Sequence, residues 1–362
     1  MIYHIYPGTA GGQGLYIDEI YRTLKEIGFT QRAFVSYYYP FDYADRIYCK
    51  RSAIGHSKLS NRLRRIVMLF ETLKAHFKVI WHAKKDKPEI INYSHTGSSY
   101  TFIVWFLRKL KKVSGAKIVV TCHDVYKVTD SEEENNNRKQ IFETADYLLV
   151  HTEQSIKELK DNWGIDVSKV VHHRFPIMDM TRLEYQIENK YENCDFLYIG
   201  NLSVPKGINV LLRGWPEMHK KYPHATMRVC GRKLPGVEFD QAALEGMNVE
   251  FNLDFIDDKD YIEYIQSAHY VIMPHIKGTN SGIISTVLSL GANVITSNIP
   301  MFKENPIIPS ENMFESENTD SLVEVMGRLY NIHPIDTKAL LDDYREKFSL
   351  EINRVYINLQ NK

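Results

Sequence analysis

The group in this sequence best placed to do chemistry is a lysine set just ahead of an amphipathic helix. Lys206 closes the run Gly200-Asn201-Leu202-Ser203-Val204-Pro205-Lys206-Gly207, and Val210, Leu211, Leu212 and Trp215 follow at helical spacing. A lysine there can meet a phosphate held at the helix N-terminus, where each charge-assisted hydrogen bond contributes about 1.5–3 kcal/mol. The next strand closes on Cys230-Gly231-Arg232, where the glycine permits close approach and Arg232 offers a second positive charge. Further on, Met273-Pro274-His275-Ile276-Lys277-Gly278-Thr279-Asn280-Ser281-Gly282 leads into the apolar segment IISTVLSL. Asn280 or Ser281 suits an N-cap, and the amides of Ser281, Gly282 and Ile283 would then point toward an anion. A solvated lysine or arginine, and a capped helix that binds nothing, remain the plain alternatives.

In the N-terminal half the first strand runs into Pro7-Gly8-Thr9-Ala10-Gly11-Gly12-Gln13-Gly14. Glycines Gly11, Gly12 and Gly14 would let backbone amides approach a ligand at a helix N-terminus. The spacing is not that of a dinucleotide fingerprint. The second strand ends in Ser36-Tyr37-Tyr38-Tyr39 without the ribose-binding acid, which argues against a nicotinamide oxidoreductase. Two later strands end in Asn92-Tyr93-Ser94-His95 and Thr121-Cys122-His123-Asp124. Ligands of open α/β sheets sit beyond the carboxyl ends of the strands, so His95, His123 and Asp124 are candidates for substrate contact, against the alternative of hydrogen-bonded structural histidines.

These groups need a framework of parallel strands. Short Val-, Ile-, Tyr- and Phe-rich runs alternate with helical-period segments, which predicts βαβ units. Strands are expected at 2–6, 33–37, 90–93, 117–121, 147–151 and 169–172, with a first helix carrying Leu15, Ile17, Ile20, Tyr21, Leu24 and Ile27 until Gly28 stops it. The polar stretch 185–194 separates this series from a second, with strands at 196–199, 226–230, 249–253, 270–273 and 293–296 and helices near 208–221, 259–267, 281–290 and 319–331. The run SEEENNNRK at 131–139 reads as a mobile surface loop.

The chain of 362 residues exceeds what one core usually serves, so two domains are expected. Apolar content of 44% and charged content of 25% are those of a folded globular protein, and no stretch is long and uncharged enough to span a bilayer. The N-terminus lacks a charged leader and runs directly into the first strand, from which a cytoplasmic location is expected. Cys49, Cys122, Cys194 and Cys230 are far apart, form no CxxC pair and read as buried thiols. The net charge is zero, yet between Arg46 and Lys112 sixteen Lys and Arg face only Glu71, Asp86 and Glu89. Within that region Leu59, Leu63, Ile66, Val67, Phe70, Leu73 and Phe77 recur at helical spacing, flanked by Lys58, Arg62, Arg64, Arg65, Lys74 and Lys78. The stripe is either core packing or, with its basic flanks, a surface at 58–112 for an anionic membrane. Nucleic acid is disfavoured, because no recognised binding module accompanies the charge.

Taken in order, the turn GGQG, the two histidine-bearing strand ends, the block GNLSVPKGINVLL and the block PHIKGTNSGIISTVLSLGANVI resemble the retaining glycosyltransferases of family four, group 1, over essentially the whole chain. The resemblance implies the GT-B fold: two Rossmann-like doubly wound α/β domains with a cleft between them, at 1–184 and 185–335, and a last helix at 336–362 crossing back to the first domain. It also implies transfer of a sugar from a nucleotide donor, UDP- or GDP-linked, to a hydroxyl of a saccharide or lipid-linked saccharide. Retention of configuration is implied, with no cofactor, no metal, and a place in surface polysaccharide or glycan assembly on the inner face of the membrane. By the resemblance His123 and Lys206 are catalytic. Gly11, Gly12, Gly14, Asn201, Gly231, Arg232, Asn280, Ser281, Gly282, Ile283 and Thr286 attend the donor, and His95 and Asp124 the acceptor. The chain departs from the family in two places. Asn201 stands where an arginine is usual, and the usual pair of glutamates eight positions apart falls on Gly278 and Thr286. The lost glutamates leave open a non-catalytic partner subunit; a sugar-nucleotide epimerase on the same architecture is the weaker alternative, because the acidic cleft residues it would use are not found.

Overall fold

The computed structural model describes residues 1–8, 12–39, 41–52, 57–94, 100–123, 125, 132–183, 185–278, 282–332 and 336–361. These fall into two compact units, one formed by Met1–Met178 with Arg345–Lys362 and the other by Asp179–Tyr344.

The first unit alternates strand and helix: β1 (Ile2–Ile5), α1 (Gly12–Glu26), β2 (Gln31–Ser36), β3 (Asp45–Tyr48), α2 (Asn61–Asp86), β4 (Ile90–Ser94), α3 (Tyr100–Ser114), β5 (Lys117–Thr121), α4 (Glu132–Thr144), β6 (Tyr147–Val150), α5 (Glu153–Asp161) and β7 (Val170–His172). The strands form one parallel sheet of order β3-β2-β1-β4-β5-β6-β7. Its core joins Tyr3, Ile5, Phe34, Ile91, Val120 and Leu148 from the strands with Val79, Phe106 and Leu107 from the helices. Sheet strands covered on both faces read as unbroken apolar runs, which is why their sequence was legible. At the end of α1, Gly28 adopts φ +92° and its amide meets the Lys25 carbonyl, while Phe29 N–H reaches the Leu24 carbonyl. The left-handed turn that a glycine adopts without strain thus ends the helix.

The second unit continues with β8 (Cys194–Ile199), α6 (Ile208–Lys221), β9 (Met227–Cys230), β10 (Val249–Asn252), α7 (Asp258–Gln266), β11 (Ala268–Met273), α8 (Ile283–Ser289), β12 (Asn293–Ser297), α9 (Pro300–Lys303), β13 (Met313–Phe314) and α10 (Thr319–Tyr330). Its strands are again parallel, in the order β10-β9-β8-β11-β12-β13. Trp215 is fully buried in its core, and the indole N–H donates to the Met247 carbonyl at 2.8 Å. The last helix, α11 (Lys338–Asn361), contributes its residues from Arg345 onward to the first unit. There the buried Tyr356 hydroxyl accepts from Asn92 Nδ2 at 3.1 Å, and Glu351 pairs with Arg174.

One expectation is corrected, and two strands, β3 and β13, were not anticipated. The polar run at 131–139, expected as a loop, is helical from Glu132 onward, in α4, where Glu132, Glu133 and Glu134 occupy the first turn, favoured by the helix dipole. Arg138 is buried there with its guanidinium donating to the Tyr100 hydroxyl at 3.2 Å, and Ile141 and Phe142 anchor the helix just beyond the run. β3 was not anticipated, because Asp45 and Arg46 break the apolar pattern at a sheet edge. β13 is a strand of only two residues.

Candidate functional site

In the second sheet the chain winds outward from β8 in one direction and from β11 in the other, so the crevice beyond the carboxyl ends of this adjacent pair is the switch point where doubly wound sheets bind ligands. The loops that leave both strands are bound to each other. Pro205 offers its carbonyl to the amides of Ile276 and Lys277, at 2.8 and 3.2 Å. Gly207 presses against Pro274 so closely that a Cβ on it would stand 1.6 Å from the Pro274 carbonyl oxygen, and its φ of +69° is left-handed. Gly231, at φ +130°, faces Gly200 in the same manner, with its missing Cβ 2.1 Å from the Gly200 carbonyl oxygen. The amides of Gly200 and Gly231 are engaged by Cys230 and Asn252. These glycines therefore let backbone meet backbone rather than presenting free amides.

Lys206 sits in this frame, at the end of a 3-10 turn (Val204–Lys206) directly ahead of α6. Its Nζ reaches back over Gly200, 3.3 Å from where a Cβ would be. The side chain is half-buried, and burial alone lowers its pKa. No carboxylate pairs with it among the described residues. Beside it the buried His275 ring packs edge-on against Phe302 at 5.4 Å, and its Nδ1 has no partner. Burial first, and then the charge of Lys206, push the imidazole down to about 3, so the ring is neutral. Gly207 stands at the N-cap of α6, which therefore has no side-chain cap. A desolvated ammonium without its counter-charge beside an uncapped helix N-terminus is an arrangement that takes an anion.

Around this frame the other sequence candidates are placed as follows. Arg232 and Asn201 are exposed at the ends of β9 and β8. Gly282 caps α8, and Ile283 is its first residue. Thr286 is buried, with its hydroxyl turned to the Gly282 carbonyl at 3.3 Å. The expected N-cap at Asn280 or Ser281 lies outside the described residues, as do Gly11, His95 and Asp124. α8 begins two residues later than the sequence predicts, with Gly282 in the capping position. Asp258 and Asp260 occupy the acidic first turn of α7, capped by Asp257. Among the described residues no group of three or more His, Cys, Asp or Glu could hold a metal ion.

The first unit carries a second constellation at strand ends. His123, His151 and His173 follow β5, β6 and β7 and surround Tyr16 of α1, whose hydroxyl lies 3.1 Å from His173 Nε2. The His123 ring meets Tyr16 edge-on at 4.6 Å, and its Nε2 has no partner. Gly12 opens α1. Over Gly14 lies the Tyr39 ring, filling the space where a Cβ would be. Sequence reasoning singled out His123 but missed His151, His173 and His275. Each follows a strand end, so the rule that selected His123 would have found them.

Burial keeps these rings neutral: it pushes His123 down to about 3, helped by the neighbouring His173, and His173 down to about 4 against the opposing hydrogen bond to the Arg174 backbone. Elsewhere in the chain, burial likewise takes His4 and His76 to about 4. The unfolded chain binds protons at these rings near the ordinary pKa of about 6.5, while the folded chain does not. Stability is therefore complete above about pH 6.5 and falls as pH drops toward 4, by about 1.4 kcal/mol per pH unit for each ring that titrates only when unfolded. Chemical denaturation at about pH 7, 6 and 5 checks this, and a midpoint that stays constant would contradict the buried, neutral rings.

A separate hollow of about 740 Å³ opens at the other end of the second sheet, among the first residues of β8, β9 and β10. Arg228 in its lining is already paired with Glu250 and Ser267, and the other charged lining residues, Glu192 and Glu245, are acidic and do not suit a phosphate.

Comparison with known proteins gives matches along both units. The sequence profile described as glycosyl transferases group 1 matches residues 193–331, and that described as Glycosyltransferase Family 4 matches residues 10–173. An uncharacterized glycosyltransferase of Methanocaldococcus jannaschii is 21% identical over 318 residues, covering 81% of this chain and 75% of that protein. Among solved structures, sucrose-phosphate synthase from Thermosynechococcus elongatus superposes with a TM-score of 0.64 at 17% identity, covering 99% of this chain and 98% of that one. The Anabaena protein HepE in complex with UDP-glucose gives 0.63 at 12% identity, with 99% and 98% covered. The α,α-trehalose-phosphate synthase (UDP-forming) from Burkholderia xenovorans gives 0.63 at 10%, with 99% and 100% covered.

Proposed function

The chain belongs to the group 1, family four glycosyltransferases and has their GT-B fold, and from that premise we propose that it moves a sugar from a UDP- or GDP-linked donor to a hydroxyl of a saccharide or lipid-linked saccharide. The observation that carries the reading is Lys206: a half-buried cation without a counter-charge among the described residues, at the switch point of the second sheet. A diphosphate supplies the missing charge. As the glycosidic bond to the donor breaks, negative charge grows on the β-phosphate, so an ammonium fixed there stabilises the transition state more than the ground state. The uncapped N-terminus of α6 adds amides to the same anion. Gly282 and Ile283 at the start of α8, with Arg232 and Asn201, complete the donor side, and His123 attends the transferred sugar. The sugar passes through an oxocarbenium-like state, with departure and attack on one face and hence retention.

HepE was solved with UDP-glucose, which favours a uridine diphosphate sugar as the first donor to try. A thermal-shift panel of UDP, GDP, ADP and their sugars tests the donor, because a ligand that binds only the native state raises its stability by about 2.7 kcal/mol at a hundredfold excess over Kd. With the active pair in hand, transfer is expected to survive excess EDTA, since Lys206 supplies charge at the leaving group. Complete loss restored by manganese or magnesium would contradict that role.

A second reading is favoured by two positions. Met301 fills the space over Gly278, 2.7 Å from where a Cβ would stand, and the Thr286 hydroxyl is turned into its own helix. By the resemblance these are the two glutamate positions, so the chain could instead be a partner subunit that binds nucleotide without turning it over. Nucleotide-dependent stabilisation with no donor hydrolysis or transfer would establish that reading.

A further inference from the structure

α2 is apolar on two opposite sides. Ala75, Val79 and Ala83 face the core of the first unit and are buried. Roughly half a turn around the helix, Leu63, Ile66, Phe70, Phe77 and Trp81 fall at successive spacings of three, four, seven and four residues, which places them on one stripe. They are between 47% and 67% exposed. Phe77 meets Trp105 of α3, itself 42% exposed, with ring centroids 5.9 Å apart, so the stripe continues onto the neighbouring helix. Isolated exposed apolar residues are ordinary, whereas a contiguous row of aromatic and aliphatic side chains marks an interaction surface.

The residues beside the stripe say what covers it. Lys74, Lys78, Lys84 and Lys85 lie on the same exposed side of α2, and Lys109 and Lys112 on α3 are exposed as well. Among the described residues no carboxylate pairs with Lys74, Lys78 or Lys84. Lys85 places its ammonium 5.8 Å from the Trp81 ring centroid, as an amphipathic pair at a polar boundary does. A second copy of the chain would bring these lysines against their own equivalents, which opposes self-association. An anionic lipid surface satisfies both halves of the pattern: its acyl boundary accepts Phe and Trp, and its headgroups neutralise the lysines. No helix among the described residues is long and apolar enough to cross a membrane, so the contact is with the surface. We infer that the exposed face of α2 and Trp105 of α3 is a docking surface for an anionic lipid bilayer. This assignment does not depend on the proposed transferase activity.

The test is flotation of the full chain with vesicles of phosphatidylcholine alone or mixed with phosphatidylglycerol, at low and high salt, read together with tryptophan fluorescence. Trp163 and Trp215 are buried, so a vesicle-induced blue shift reports Trp81 and Trp105. Binding is expected only with the anionic lipid, weakening as salt rises. It should fall about tenfold or more in Phe70→Ser/Phe77→Ser and in Lys74→Glu/Lys78→Glu. These side chains are exposed, and an unchanged thermal transition of each variant verifies that it folds. Recovery of the wild type free of anionic vesicles at low salt, or equal binding by both folded variants, would overturn the assignment. Loss of a homodimer in Phe70→Ser/Phe77→Ser on gel filtration, with no vesicle binding by the wild type, would assign the face to self-association instead.

Discussion

Lys206→Ala is expected to lower kcat/KM for sugar transfer by about 10- to 150-fold, the span of one charge-assisted hydrogen bond worth about 1.5–3 kcal/mol in the transition state. The same substitution is expected to leave folding stability unchanged or raised. The ammonium is partly desolvated, its pKa is lowered by burial, and it has no carboxylate partner among the described residues, so in the empty protein it is a cost. Loss of function without loss of stability is the signature of a group held for a ligand. Lys206→Arg keeps the charge but not the reach of a point ammonium into the space over Gly200, and should recover only part of the rate. Steady-state kinetics beside chemical denaturation of the full chain separates the two effects. A variant that loses stability and activity in proportion would make Lys206 a structural residue.

Gly207→Ala is expected to be the most damaging single methyl group that can be added near this site. Its φ of +69° strains any L-residue by about 1–2 kcal/mol, and the added carbon would lie 1.6 Å from the Pro274 carbonyl oxygen, a backbone atom that cannot rotate away. The loops after β8 and β11 must separate to admit it, breaking the bonds from Ile276 and Lys277 to Pro205 and displacing Lys206 next door. A cost above about 3 kcal/mol follows, together with loss of nucleotide binding. Gly28→Ala is the control: φ is +92°, yet nothing lies within 4 Å of the new carbon, so only the backbone strain is added. Denaturation midpoints should therefore rank wild type, Gly28→Ala and Gly207→Ala in falling order. Equal costs for the two variants would show that the Gly207–Pro274 approach is not rigid.

Much of this was legible before the structure, and the exceptions have physical causes. Strands buried on both faces announce themselves as apolar runs, so β1, β5 and β8 were found. The edge strand β3 carries Asp45 and Arg46, and Arg32 pairs with Asp45 there, a charge pattern that reads as loop. α4 was missed because its polar first turns hide the anchoring pair Ile141 and Phe142. Lys206 was singled out as a candidate from its place before α6. His275, His151 and His173 were missed although they obey the strand-end rule. What Gly207 and Gly231 touch could not be read at all, since it depends on how closely two loops approach in space. The stripe on α2 has a period that fits a core or a surface equally, and only the exposure of Phe70, Phe77 and Trp81 decides between them.

The central claim is that the carboxyl ends of β8 and β11 hold the diphosphate of a nucleotide sugar through Lys206. Calorimetric titration of the wild type and Lys206→Ala with UDP and GDP, without divalent cations and over a range of alkaline pH, tests it most directly. One nucleotide should bind the wild type at one site per chain, more weakly as pH rises and the ammonium loses its proton. Lys206→Ala should bind it about tenfold or more weakly, with that pH dependence removed. Binding by the variant as tight as the wild type, or binding by neither protein, would contradict the account.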